Sequence, residues 1–247
     1  PEIPSPVSLE QLLLRDDTWM GHSSRFASRK AVSTGYAELD AGLLNGGWPL
    51  GSLVEICQSR MQAEWHLIGP ALREMPGLVV LLNPPATPFC KALLKANMDL
   101  DRLVIIKSSD KAHFVACFIE LARANVGTIL AWQPKDNLTY TELRKCLLAS
   151  TESSSLCVIF RPADAQRQNS PAALRIYAQL IPAGLEVTAF KQKGFLQKHQ
   201  PEPIVIALPE TWQPVVPYFA LNQVSVYRLS ERKPKRLASV IPLRGKL

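Results

Sequence analysis

Short apolar runs separated by amphipathic stretches fill the middle of the chain. Residues 52–57, 77–82, 103–107, 127–132 and 156–160 read as strands of nearly unbroken apolar character. Between them, residues 63–75, 89–97, 113–124 and 139–150 repeat apolar positions with the spacing of one helix face. Strands that are apolar on both faces and alternate with helices predict a mostly parallel sheet covered on both sides. After Arg161 the pattern changes. Residues 173–180, 185–192 and 203–208 form longer strands with turn residues between them, predicting antiparallel additions, and 223–229 reads as one more strand. Pro182, Gly184, Gly194 and Pro201 mark the turns.

The ends read differently. Residues 8–15 suit a short helix, with Ser8 as its cap and Gln11 at the capping-box position. Residues 34–43 suit a helical turn or two, stopped by Asn45-Gly46-Gly47-Trp48-Pro49. The chain therefore divides into an N-terminal helix and linker over 1–32, an α/β domain over 33–230 and a basic tail over 231–247.

Charge sharpens that division. The net charge is +7, yet residues 231–247 hold six Lys or Arg against one acid, so +5 sits in the tail. A tail containing Arg232, Lys233, Lys235 and Arg236 either attracts nucleic acid or an acidic protein groove, or is a solvated end. Apolar residues at 47% and charged residues at 20% fit a globular protein, and no apolar run approaches the ~20 residues of a membrane span. The opening residues carry no basic start and no apolar core of a secretory signal. The five cysteines (57, 90, 117, 146 and 157) never fall at C-x-x-C spacing, which predicts reduced, mostly buried thiols in a cytoplasmic protein rather than a zinc or disulfide framework.

The most informative feature is a phosphate site that is missing. The strand at 53–57 runs into a helix, where a P-loop protein carries G-x-x-x-x-G-K-[ST] to cradle phosphates and hold Mg²⁺. Residues 58–66, Gln-Ser-Arg-Met-Gln-Ala-Glu-Trp-His, contain neither glycine nor lysine. Glu64 instead brings a carboxylate, whose repulsion of a phosphate is roughly 4 kcal/mol per charge pair at 4 Å and an effective dielectric of 20. No Asp or Glu occurs between Glu74 and Asp99, and the strand at 127–132 ends on Trp132 without a metal-binding Asp. Three elements of an ATPase are lost together. No nucleophile with a paired base, no metal constellation and no useful acid pair replaces them, so neither an enzyme nor a cofactor is expected.

The segments Ser33-Thr-Gly-Tyr-Ala-Glu-Leu-Asp-Ala-Gly-Leu43 and Asn45-Gly-Gly-Trp-Pro-Leu-Gly-Ser-Leu-Val-Glu-Ile56 resemble the opening of RecA-like proteins. Asn97-Met-Asp-Leu-Asp-Arg-Leu-Val104 and Leu174-Arg-Ile-Tyr-Ala178 are similar to later RecA segments. Aligned this way, the P-loop glycines fall on Gln58 and Ala63, its lysine on Glu64 and its threonine on Trp65. The catalytic glutamate falls on Pro85 and the Mg²⁺ ligand on Trp132. With the G-G-W-P segment and Val158-Ile-Phe-Arg-Pro162, the chain resembles the ImuA family, over about residues 8–230. That resemblance implies a RecA-like core with added C-terminal strands and a non-catalytic accessory role in SOS-induced translesion synthesis. The implied partners are ImuB, an error-prone C-family DNA polymerase and RecA. The regions that bind single-stranded DNA in RecA are short here, so direct DNA binding stays open and autonomous filaments are not expected. SulA, a cell-division inhibitor acting on FtsZ, resembles residues 51–162 as well. SulA-like chains lack the opening at 33–49 and most of the sequence beyond Tyr177.

Individual side chains carry two readings each. Trp48, Trp65, Trp132 and Trp212 either stack on bases or pack, with packing favoured. His66 and His113 read as surface or helix-face histidines. Arg161, at the end of a central strand, either meets a phosphate or partner carboxylate or caps the strand. Lys191, Lys193 and Lys198 read as an ordinary solvated hairpin.

Overall fold

The first long strand lies inside the sheet, and every later element takes its place relative to it. The computed structural model describes residues 30–59, 64–95, 97–108, 110–194 and 201–207. Ten strands and five helices are found there: β1 (Ala31–Val32), α1 (Ala37–Gly42), β2 (Trp48–Pro49), β3 (Ser52–Gln58), α2 (Glu64–Glu74), β4 (Leu78–Leu82), α3 (Cys90–Lys95), β5 (Leu103–Ile106), α4 (Lys111–Arg123), β6 (Gly127–Trp132), α5 (Tyr140–Thr151), β7 (Leu156–Pro162), β8 (Leu174–Ile181), β9 (Gly184–Gln192) and β10 (Ile204–Ile206). The expected helix at 8–15, the strand at 223–229, Ala63, Lys198, Trp212 and the basic tail lie outside the described residues.

Eight strands form one sheet in the order β10-β9-β8-β3-β7-β6-β4-β5, and β1 and β2 form a separate ribbon. The six strands from β8 to β5 are parallel, whereas β9 pairs antiparallel with β8 and β10 antiparallel with β9. The domain is therefore α/β, with a mostly parallel sheet between helices and antiparallel strands added at one side. β8 departs from the expectation of an antiparallel C-terminal group: it joins β3 in parallel, with Val54 opposite Leu174. Its alternating pattern arises because one face meets the core through Leu174, Ile176 and Ala178, while Arg175, Tyr177 and Gln179 take the other.

Two apolar layers hold the sheet. On the first face, Leu67, Ile68 and Ala71 of α2 pack with Val54, Ile56 and Val158. On the second, Phe114 and Phe118 of α4 and Leu143 and Cys146 of α5 pack with Leu53, Ile129 and Ile159. Full burial of each large side chain stabilises by about 1.5–3 kcal/mol. The helices start where local chemistry starts them. Asp110 caps α4 by accepting from the His113 amide at 2.9 Å, and Thr139 with Glu142 forms a reciprocal capping box on α5.

The opening segment is anchored to α2 by a defect in that helix. Pro70 sits inside α2 and has no N–H, so the carbonyl of His66 lacks its helical donor. The Tyr36 hydroxyl donates to that carbonyl at 2.6 Å. Gly35 lets the chain come this close: at φ +82° a Cβ there would lie 2.3 Å from Pro70 Cβ. Asp40 of α1 closes the turn, accepting from the Ser33 hydroxyl at 2.6 Å and the Thr34 amide at 2.8 Å. The Ser33–Tyr36 motif is thus a clasp on α2. Gly47 meets a similar demand, because a Cβ there would stand 2.1 Å from the Val32 carbonyl oxygen.

Candidate functional site

Ligands in open α/β sheets bind beyond the carboxyl ends of strands, where neighbouring strands send their connections to opposite faces. Here that point lies between β3 and β7. α2 leaves β3 over the first face, and the segment 163–173 leaves β7 over the second, where Ala172 packs with Leu53, Cys157 and Ile159. The residues at this crevice decide what it can hold.

On the first face, among the described residues, side chains bond to one another at this strand end. Gln58 ends β3 and donates from Nε2 to Glu64 Oε1 at 2.7 Å. Trp132, at the end of β6, donates its indole N–H to the same oxygen at 3.4 Å and stacks on Phe160 with centroids 4.8 Å apart. Gln58, Glu64, Trp132 and Phe160 are all buried. Glu64 stands in the first turn of α2, where the helix dipole and free amides favour a negative group. Its own carboxylate supplies that charge. Trp65 is half-buried and packs against the core edge. Gln58 and Glu64 thus share one place, with Trp132 brought in from β6.

On the second face lies a buried ion cluster. Glu55 of β3 accepts from Arg161 at 3.2 Å and from Arg175 Nε at 2.9 Å, and the Ser170 hydroxyl donates to its other oxygen. Arg161 is fully buried. It donates also to Gln133 Oε1 at 2.7 Å and to Gln168 Oε1 at 2.8 Å, so it faces inward and caps its strand end. Arg175 donates to the carbonyls of Ala165 and Gln168 and lies 4.9 Å over the Phe190 ring. The two guanidinium groups therefore tie the 163–170 segment down onto the sheet. Lys191 donates to the Ser170 carbonyl at 2.6 Å, and burial, then repulsion from Arg175, lowers its pKa. Sequence reasoning missed Glu55 and Arg175; the signals that could have found them are a lone carboxylate within the apolar run of β3 and a lone arginine in β8. Neither was joined to Arg161 by the pattern alone.

The remaining reactive groups are quiet. Burial pushes the Cys146 thiol up to about 12, and Cys57 and Cys157 up to about 11, so none is a nucleophile at neutral pH. His66 is buried rather than on an open helix face. Burial lowers its pKa, while Nε2 lies 3.2 Å from the Ala207 carbonyl and Nδ1 lies 3.3 Å from the Tyr36 hydroxyl. His113 is exposed on α4. Trp48 is fully buried and Trp132 nearly so, so both pack in the core. Lys193 is exposed near the hairpin end. Arg232, Lys233, Lys235 and Arg236 lie outside the described residues. Among the described residues no group of three His, Cys, Asp or Glu is placed to hold a metal, and no helix is long and apolar enough to cross a membrane.

No protein-family model matches the chain, and no curated protein matches it in sequence.

Proposed function

We propose that this chain is a RecA-like scaffold without nucleotide chemistry. In this reading it acts as an accessory protein of the ImuA kind, recruiting or regulating an error-prone polymerase during SOS-induced translesion synthesis through ImuB and RecA. One observation carries the reading. The crevice where an α/β sheet of this topology would take a triphosphate holds instead Gln58, Glu64, Trp132 and Phe160, bonded and stacked on one another. A phosphate entering there meets a buried carboxylate in place of a lysine, and a stacked indole in place of a metal ligand. The central position of β3 and the helices on both faces support the RecA-like reading of the fold.

The functional consequence is physical. A nucleotide-driven protein changes state because γ-phosphate contacts hold one conformation and release another. A chain that fills this crevice with its own side chains has no such ligand to bias it. Its partner surfaces are then fixed by folding and do not respond to hydrolysis. Co-purification tests the partner assignment. Tagged full-length chain, expressed with ImuB, the C-family polymerase and RecA, is expected to retain ImuB. Retention of FtsZ with loss of ImuB would overturn the reading in favour of a division inhibitor.

A further inference from the structure

β9 brings a third cation to the buried ion cluster. Lys191 stands across from Arg175 of β8, beside the irregularity in pairing between Arg175 and Ile176. Like charges opposed across two strands destabilise the pair unless something neutralises them. Among the described residues Glu55 is the one carboxylate that ion-pairs within this group, and Arg161 and Arg175 both bond to it. It balances one guanidinium, so a positive charge is left over before Lys191 is counted.

The contacts of Lys191 fix where its amine sits. It is not the solvated hairpin lysine that the sequence suggests: the side chain is half-buried, and Nζ donates to the Ser170 carbonyl at 2.6 Å. Ser170 is itself held, through its hydroxyl, by Glu55. Arg161 and Arg175 are sealed in at 2% and 5% exposure, so of the three cations Lys191 is the one that meets solvent. A carbonyl accepts from an ammonium or from a neutral amine, so this bond positions the nitrogen without demanding its charge. Burial, then repulsion from Arg175 and Lys193, favours the neutral amine against the pull of Glu55, and the balance lowers the pKa.

We infer that Lys191 is a site of covalent acylation and that its acyl donors are acyl phosphates. A positioned, partly desolvated amine beside another cation is the arrangement that makes lysine a nucleophile. The surplus positive charge around it selects an anionic donor over a neutral one. Nζ attacks the acyl carbon, and a C–N bond forms as the C–O bond to the phosphate breaks. Inorganic phosphate leaves, and the proton of the amine passes to solvent. The amide product keeps one N–H for the Ser170 carbonyl and removes the charge that faces Arg175. Acylation therefore relieves the cluster without opening it.

Acetylation of the full chain by acetyl phosphate near neutral pH, followed lysine by lysine with peptide mass spectrometry, tests the site. Lys135 and Lys145, both exposed, serve as references. Lys191 is expected to acetylate at least about threefold faster than either. The preference is expected to vanish in denaturing urea, where the cluster disperses. Lys193→Gln removes a neighbouring cation and is expected to slow Lys191 by roughly twofold. A neutral acetyl N-hydroxysuccinimide ester separates the amine from the donor: the preference for Lys191 is expected to persist with it but to be smaller. Lys191 reacting no faster than the exposed lysines in the native chain would overturn the site, and so would a preference that survives urea. Equal preference with both reagents would overturn the assignment to acyl phosphates.

Discussion

Replacing Glu55 with Gln removes one charge and almost no volume, so its effect isolates the buried ion cluster. The carboxylate lies 3.2 Å from Arg161 and 2.9 Å from Arg175, and both it and Arg161 are fully buried. A glutamine amide keeps one acceptor but leaves two guanidinium charges without a counter-ion in the sheet. Breaking a buried pair by removing one partner costs about 3–5 kcal/mol, because the stranded charge keeps its desolvation penalty. Two stranded cations place Glu55→Gln at the upper part of that range. At about 2–4 °C per kcal/mol for a domain of this size, the melting temperature is expected to fall by roughly 10–20 °C. Arg161→Gln leaves Glu55 paired with Arg175, so its drop is expected to be smaller. The measurement is thermal and urea unfolding followed by circular dichroism. Arg175 also holds the 163–170 segment through the Ala165 and Gln168 carbonyls, and Arg161 through Gln168 Oε1, so amides there are expected to exchange faster in Glu55→Gln than those of α5. A melting temperature within about 2 °C of wild type would refute the reasoning, because water or a local shift would then be neutralising the cluster.

Two further outcomes come from the same geometry. Tyr36→Phe strips the donor from a carbonyl that Pro70 has already orphaned, and is expected to destabilise by about 1–3 kcal/mol in urea unfolding. Pro70→Ala returns the helical N–H, so the Tyr36→Phe loss is expected to shrink in that background; a full loss there would contradict the clasp. The buried thiols make a pH dependence with a definite sign. Cys146 and Cys157 rise from an unfolded value of 9.0 to about 12 and about 11, so folding favours their protonated form. That contribution is complete below the unfolded value and is lost as pH climbs through the native values. Stability is therefore expected to fall between about pH 9 and 12. Native-state thiol labelling at neutral pH is expected to mark exposed Cys90 and spare Cys146 and Cys157; prompt labelling of either buried thiol would count against the placement.

The main elements were legible in the sequence because two simple patterns carried them. Apolar runs marked β3 to β7 as strands of a parallel sheet, although β5 ends that sheet, and helical spacing over 113–124 and 139–150 marked α4 and α5. β8 was harder. Arg175 and Tyr177 gave it the alternation of a half-exposed strand, yet Arg175 is buried on the second face, where Glu55 and the 163–170 segment meet it. Pairing of distant lone charges leaves no periodic trace, so Glu55, Arg161 and Arg175 could be flagged singly but not joined. The crevice shows the reverse. The absence of glycine and lysine over 58–66 was plain from residue types alone. That Glu64 is clasped by Gln58 and Trp132 depends on β6 reaching the same strand end as β3, a fact of strand order. Gly35 and Tyr36 likewise read as a motif in the sequence, and only Pro70 in the facing helix explains them.

Titration of the full chain with ATP and Mg²⁺, read by calorimetry alongside phosphate release, bears on the filled crevice most directly. In the proposed reading no saturable heat and no released phosphate are expected, because the buried Glu64 carboxylate, bonded to Gln58 and Trp132, would repel a triphosphate there. Micromolar binding with turnover, lost on substitution of Glu64, would contradict that and make this chain a working ATPase.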